Sequence, residues 1–271
     1  MESILTFESY DGYKLEGTYS SSAKPKAAVL FVHGITSSRD ELGFHSDFAR
    51  FLAGKQISSL RFDYRYHGIF AKKPTQLQDL TLSGIVNDID AAFHALKVEV
   101  NARIPIVLVG TSFGGGLSVF WDSYCRYPEI KYILLNAPVI NYENDVLERN
   151  SLLHNDALAR KAQTKLNKNG YIVSSGIRFG AGLINELKYI NGIRPLKELE
   201  KKITIFHGDA DEDVPITSSK KYKGKDTKLI VIKNVGHGFG VDGDEDLDFP
   251  ETKAIHKSIY EKASKIIIGK S

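Results

Sequence analysis

The chain is predicted to fold as an α/β protein on a doubly wound, mostly parallel sheet with helices on both faces. Short, nearly continuous apolar runs recur along it, each about one strand long and with no polar alternation that would mark a solvated face. Between them lie stretches with apolar residues at steps of three and four. The two kinds alternate, as they do when crossover helices join parallel strands.

The first 20 residues break this rhythm. Runs 4–9 and 13–19 flank Asp11-Gly12, a tight-turn dipeptide, and predict an antiparallel hairpin at one sheet edge. Buried strands are expected at 27–32, 58–62, 104–109, 132–135, 203–206 and 228–232. Helices are expected at 45–56, with Phe48, Phe51 and Leu52 on one face, and at 81–100, with Ile85, Ile89, Phe93, Leu96 and Val100. A third spans 114–125, where Trp121 and Cys125 read as core side chains. A last one carries Ile255, Ile259, Ala263, Ile266 and Ile267. Residues 141–199 show no core-strand pattern. The stretch 143–168 is polar and helix-prone, a short hairpin follows around Ser174-Ser175, and 182–189 reads as a helix. A structureless loop of that length is unusual, so the segment is read as an inserted cap. The expected division is a core of residues 1–140 and 200–271 with a cap at 141–199.

Composition narrows the function. Of 271 residues, 42% are hydrophobic and 25% charged, which fits a globular domain. A net charge of +3 without a dense basic block argues against nucleic-acid binding. A single cysteine excludes an intramolecular disulfide framework. The start, Met1-Glu2-Ser3-Ile4-Leu5-Thr6, has no basic leader, and no apolar run is long enough to span a bilayer, so a cytoplasmic protein is expected.

The chemistry begins at Gly110-Thr111-Ser112-Phe113-Gly114, which follows a strand and opens a helix. A sharp strand-to-helix turn exposes the serine oxygen at a helix N-terminus, and small residues on either side let the chains pass closely. Ser112 is therefore the candidate nucleophile, although a Gly-rich turn with a capping serine would look the same. A serine needs a base, and the base an orienter. Of the downstream histidines, His237 sits on a Gly-flanked loop directly after a strand, at the edge where open sheets bind ligands. His154 and His256 read as surface side chains. The acid is expected after strand 203–206, where Asp209, Asp211 and Asp213 compete and spacing does not choose. For the oxyanion, His33-Gly34 after strand 27–32 is expected to present the Ile35 amide, with the Phe113 amide as second donor. His33 precedes Ser112 and is read as a loop residue. The run from Asp242 to Asp248 lacks the Gly and Glu of a calcium loop and reads as a solvated acidic loop that disfavours anionic substrates.

Taken together, His33-Gly34-Ile35-Thr36, the segment from Phe62 to Gly68, the serine motif, His207-Gly208-Asp209-Ala210-Asp211 with Val214-Pro215, and Gly236-His237-Gly238-Phe239 resemble the α/β-hydrolase superfamily. The resemblance implies the α/β-hydrolase fold. It also selects Asp211, because the family pattern H-G-x-x-D-x-x-V-P places its aspartate there. The sequence departs from the family at Tyr66, where a Gly is usual, and at Phe70, where a Ser is. Within the superfamily the chain is similar to small-capped esterases of the feruloyl (cinnamoyl) kind, and Tyr142, Tyr171, Phe179 and Tyr189 either line an aryl pocket or pack on the core. The implied function is a serine carboxylesterase that forms an acyl-enzyme on a small-molecule ester and needs no cofactor or metal. Monoacylglycerol lipase, thioesterase and serine peptidase activities use the same triad, and a non-enzymatic ligand receptor on this fold is a further alternative. Oligomeric state stays open, a homodimer included.

Overall fold

The structure, a computed structural model, describes residues 1–68, 76–100, 104–155, 157–174, 176–224 and 226–269. Phe70 and Ser175 lie outside the described residues.

The N-terminal hairpin forms as β1 (Glu2–Glu8) and β2 (Lys14–Ser20), paired antiparallel with Glu8 opposite Lys14. There follow β3 (Ala27–Val32), α1 (Phe44–Ala53), β4 (Ile57–Asp63), β5 (Gln76–Leu77), α2 (Leu82–Glu99), β6 (Ile106–Thr111), α3 (Phe113–Cys125) and β7 (Ile130–Asn136). The inserted stretch holds a π-helical turn (Glu143–Glu148), β8 (Leu153–His154), β9 (Ala157–Leu158), α4 (Arg160–Asn169), β10 (Tyr171–Ser174), β11 (Ile177–Gly180), α5 (Ala181–Tyr189) and α6 (Ile193–Glu198). The chain closes with β12 (Lys202–Gly208), α7 (Ile216–Tyr222), β13 (Thr227–Ile232) and α8 (Pro250–Ile267).

Eight strands make one sheet in the order β1-β2-β4-β3-β6-β7-β12-β13. β1–β2 and β2–β4 pair antiparallel, and every later pair is parallel. From β3 the chain steps outward to β4, then returns to the other side of β3 as β6. That reversal opens a crevice at the carboxyl ends of β3 and β6. β3 and β6 are buried along their whole length, as their continuous apolar sequence demands.

Helices cover both faces. On one, Phe48 of α1 stacks on Tyr260 of α8 at 4.7 Å, and the Tyr260 hydroxyl donates to Phe44 O at 2.9 Å. On the other, Ile85, Ile89, Phe93 and Leu96 of α2 form the buried stripe their spacing predicts, with Trp121 of α3 against Phe93. Pro250 opens α8, where its fixed φ suits the first helical position.

The inserted stretch departs from the single helix-prone run expected at 143–168. Left-handed residues at Ser151 (φ 54°) and Asn155 (φ 48°) break it into the π-helical turn, the β8–β9 hairpin and α4. Among the described residues of this run the buried apolar side chains are Leu147, Leu152 and Ala162, and so thin an apolar stripe does not hold one long helix against the core. The hairpin β10–β11 forms as expected and gains a third strand, since β5 pairs parallel with β11. Glu186 of α5 accepts hydrogen bonds from the Leu82 and Ser83 amides and, at 2.8 Å, from the Ser83 hydroxyl, which ties α5 to the first turn of α2.

Cys125, expected in the core, is the last residue of α3 and is exposed. α3 ends there, with a left-handed Arg126 (φ 51°) as its C-cap. Among the described residues, no helix is long and apolar enough to cross a membrane.

Candidate active site

Ser112 sits at the tip of the β6–α3 turn with φ 51° and ψ −121°, a backbone that few non-glycine residues adopt. The turn survives because its neighbours fix it: Ser112 N–H donates to Asn136 O at 2.9 Å, and Ser112 O accepts from Gly115 and Val139. The two motif glycines are required by close approach. A Cβ on Gly110 would lie 2.8 Å from Gly115 Cα, and one on Gly114 would lie 2.4 Å from His33 O. Gly114 thus presses the start of α3 against the end of β3, where the Ile35 amide follows.

His237 stands on the loop after β13. A tight turn closes it, with Gly236 N–H bonded to Gly240 O and Phe239 N–H to Gly236 O. Its Nε2 is 2.8 Å from Ser112 Oγ and its Nδ1 is 2.8 Å from Asp211 Oδ2. A carboxylate only accepts, so Nδ1 carries the proton and Nε2 is free to accept from the serine hydroxyl. Asp211 is itself fully engaged. Oδ1 accepts the Asp213 and Val214 amides at 3.0 and 2.9 Å, and Oδ2 also meets His207 Nε2 at 3.2 Å. Burial pushes the Asp211 carboxyl up, but hydrogen bonds from His207 and His237 and the His237 charge outweigh it and hold the group well below the usual carboxylate range. Burial likewise pulls the His237 imidazole down, while the Asp211 hydrogen bond and charge lift it above its ordinary value. Of the three competing carboxylates, Asp209 faces outward and pairs with Lys233 at 2.9 Å, and Asp213 offers its backbone N–H to Asp211.

Several residues that no motif argument assigned a task hold the loop 33–36. His33 Nε2 accepts the Tyr64 amide, so its Nδ1 carries the proton and donates to Gly34 O at 2.7 Å. The Tyr64 ring stacks on His33 at 3.9 Å, and its hydroxyl also donates to Gly34 O, at 2.9 Å. His67 Nε2 accepts the Thr36 amide at 3.0 Å, and Glu41 Oε2 accepts the Gly34 amide at 2.7 Å. Burial pulls the His33 and His67 imidazoles far down, His67 to about 4, so both stay neutral and keep these acceptor roles. Tyr64 and His67 belong to the segment from Phe62 to Gly68, whose sequence pattern was visible although the contact with loop 33–36 was not. Glu41 lay in no motif at all. Tyr66, which stands where the family has Gly, does adopt the left-handed conformation (φ 63°), with its ring against Tyr13 and its N–H on the Tyr13 hydroxyl.

The four aromatic pocket candidates part company. Tyr142 is fully buried beneath the elbow, its ring against Phe113 and its hydroxyl donating to Phe113 O. Phe179 is also core. Tyr171 is half-buried under the Arg178 guanidinium. Tyr189 is 76% exposed and borders a groove with Phe120 and Tyr124, away from His237. His256, expected at the surface, is buried and bonds Gly238 O through Nε2 at 2.9 Å, because α8 packs beneath the His237 loop. The acidic loop is not wholly solvated either. Asp244 is buried and accepts the Asp248 and Phe249 amides, both at 2.9 Å, just ahead of α8. An open cleft of about 880 Å³ lies beside His237, bordered by Glu41, Thr111, Glu212, Asp213, Asp242 and Glu245 among others.

The model of the family described as serine aminopeptidase, S33, matches residues 23–178. No curated protein matches the sequence. Among solved structures, Est1E from Butyrivibrio proteoclasticus with ferulic acid bound superposes with a TM-score of 0.73 at 20% identity, over 96% of this chain and 100% of that one. The esterase domain of a Rhodothermus marinus protein gives 0.66 at 19% identity, over 98% of both chains. The α/β-hydrolase GrgF from a Penicillium species gives 0.69 at 16%, over 99% of both. At these identities the likeness is one of fold. The family match covers more than half of the chain, through both the loop after β3 and the serine elbow, and with it the chain belongs to the serine aminopeptidase family of α/β-hydrolases and is a hydrolase.

Proposed function

We propose that the protein is a serine carboxylic ester hydrolase working through Ser112, His237 and Asp211. The observation that carries this is the unbroken relay from Asp211 Oδ2 through His237 to Ser112 Oγ, with both links at 2.8 Å. Ser112 Oγ attacks the ester carbonyl as His237 Nε2 takes its proton. Asp211 keeps the imidazole in the tautomer that can accept and balances the imidazolium that forms. The Ile35 and Phe113 amides receive the oxyanion, helped by the positive end of α3. His237 then gives its proton to the leaving alcohol, and a water activated by the same imidazole releases the acid.

The core is residues 1–140 and 200–271, and residues 141–199 are the cap that selects the substrate. Small to medium acyl or aryl esters of the cinnamoyl type are the proposed class. The fold shared with an esterase that holds ferulic acid supports it. A second reading, peptide hydrolysis, rests on the family description. The test is turnover of acetyl, octanoyl, feruloyl, monoacylglycerol and aminoacyl p-nitroanilide substrates by wild type and Ser112→Ala. Ester turnover abolished in a folded Ser112→Ala supports the proposal. Unchanged turnover ends it, and turnover confined to the anilide selects the peptidase.

A further inference from the structure

Glu41 lies at the turn between the loop after β3 and α1, and its backbone is unusual. Glu41 (φ 46°), Leu42 (φ 50°) and Gly43 (φ 90°) are three left-handed residues in succession. Such a run persists where surrounding contacts fix it. Here the turn carries the carboxyl inward, and Oε2 accepts the Gly34 amide at 2.7 Å. The other oxygen, Oε1, lies against the same face of Gly34 as the Ser112 side chain. A Cβ built on Gly34 would stand 3.2 Å from Glu41 Oε1, 3.2 Å from Ser112 Cβ and 3.6 Å from Ser112 Oγ, so the two side chains converge on the bare face of Gly34. The next amide along is that of Ile35, proposed above as an oxyanion donor. The titratable groups facing Glu41 are the His237 imidazole, from the loop after β13, and the Tyr64 phenol, from the loop after β4. The Ser37 hydroxyl also lies near enough to favour its charged form.

We propose that Glu41 is a positioning residue whose carboxyl braces the oxyanion loop through Gly34 and serves turnover only while it is protonated. The proposal rests on Ser112 being the nucleophile. An ionised Glu41 would place a negative charge beside the forming oxyanion, and it would also hold the proton on His237. The neutral carboxyl keeps an acceptor oxygen for Gly34 and removes both effects. Burial pushes the Glu41 carboxyl up to about 7, with the Gly34 hydrogen bond and the His237 charge pulling against it. His237 is in turn raised partly by Glu41. The two therefore titrate as a coupled pair, and the productive state has the proton on Glu41 and none on His237. Rising pH first frees the base, which increases the rate, and then ionises Glu41, which decreases it. The outcome is a bell, where a serine–histidine pair alone gives a plateau.

The experiment is the pH profile of kcat for p-nitrophenyl butyrate with wild type, Glu41→Gln and Glu41→Ala, each checked for an unchanged melting profile. Glutamine keeps the acceptor for Gly34 and cannot ionise. The expected result is a wild-type profile that falls above neutral pH and a Glu41→Gln profile that does not. The Gln-to-wild-type ratio should rise at least about tenfold between pH 7 and 9, and the acid limb of Glu41→Gln should move to lower pH. Glu41→Ala loses the brace, and its kcat should fall about tenfold or more with KM little changed. A wild-type plateau up to pH 9 that Glu41→Gln simply tracks overturns the inference, as does a Glu41→Gln variant as impaired as Glu41→Ala. Ser112→Ala, run alongside, separates the two failures: full activity there removes the nucleophile assignment, whereas its inactivity with unaltered Glu41 profiles removes only the role of Glu41.

Discussion

Replacing Asp211 by Asn tests the relay most sharply, because the contacts of that carboxylate dictate how the new amide must sit. Oδ1 accepts two backbone amides, from Asp213 and Val214, while Oδ2 faces His237 Nδ1 and His207 Nε2. An Asn that turned its NH2 toward the backbone would leave two buried N–H groups without an acceptor, at about 1–3 kcal/mol each. The amide oxygen therefore stays with the backbone and the NH2 faces His237. Nδ1 must then accept, the ring proton moves to Nε2, and the imidazole donates to Ser112 instead of taking its proton. In serine proteases the corresponding change lowers kcat about 10⁴-fold, roughly 5 kcal/mol of transition-state stabilisation. The expected outcome is a loss of that order in kcat with KM within a few-fold, measured with p-nitrophenyl butyrate. His207 meets the same NH2 but keeps Val214 O at 2.8 Å, so the stability cost should stay near that of one mismatched donor, about 1–3 kcal/mol by denaturant titration. Asp209→Asn is the control, since its carboxylate meets Lys233 and the Asn234 amide at the surface. Asp211→Asn activity within tenfold of wild type, or a larger loss in Asp209→Asn, would refute the reasoning.

Further expectations follow from neighbouring contacts. Because His237 is raised above its ordinary value and only its neutral form can accept the Ser112 proton, kcat/KM should fall as pH drops, with the acid midpoint above 6.5 in a stopped-flow profile. Tyr64→Phe removes a hydroxyl donor from Gly34 O while His33 keeps its own bond there, so it should cost about 1 kcal/mol of stability and a several-fold loss in kcat with KM unchanged. Asp88→Ala leaves the Arg65 guanidinium to Asp11, Ser9 and the face of the Tyr13 ring and should lower unfolding free energy by about 3 kcal/mol in urea titrations. Glu212, Asp213, Asp242 and Glu245 border the cleft beside His237, so an anionic ester should react more slowly than its neutral counterpart, and the gap should narrow as salt rises from 0.02 to about 0.5 M. Equal salt responses would count against an acidic rim.

Legibility in the sequence followed how local each signal was. The parallel strands were readable because burial on both faces writes a continuous apolar run, and α2 because its stripe at steps of three and four faces one core. The inserted stretch was read less well. Its few apolar residues fit one helix or several short pieces equally, and left-handed turns at Ser151 and Asn155 decide the matter. The pairing of β5 with β11 joins segments about 100 positions apart, which no local pattern encodes. His256 reads as the polar side of an amphipathic helix, and only the packing of α8 under the His237 loop turns it inward.

The sequence by itself determined the fold class and the residue types at the ends of β3, β6, β12 and β13. Strand period and strand–helix alternation are properties of neighbouring residues, and Gly110-Thr111-Ser112-Phe113-Gly114 carries its own steric requirement. The tertiary structure alone decided which groups meet. His237 lies 125 positions from Ser112 and 26 from Asp211, and the sheet order brings all three to one edge. Likewise it set Tyr64, His67 and Glu41 around the loop after β3. A hydrogen bond depends on position to a fraction of an ångström, and that is fixed by packing between distant segments, where sequence spacing carries no information.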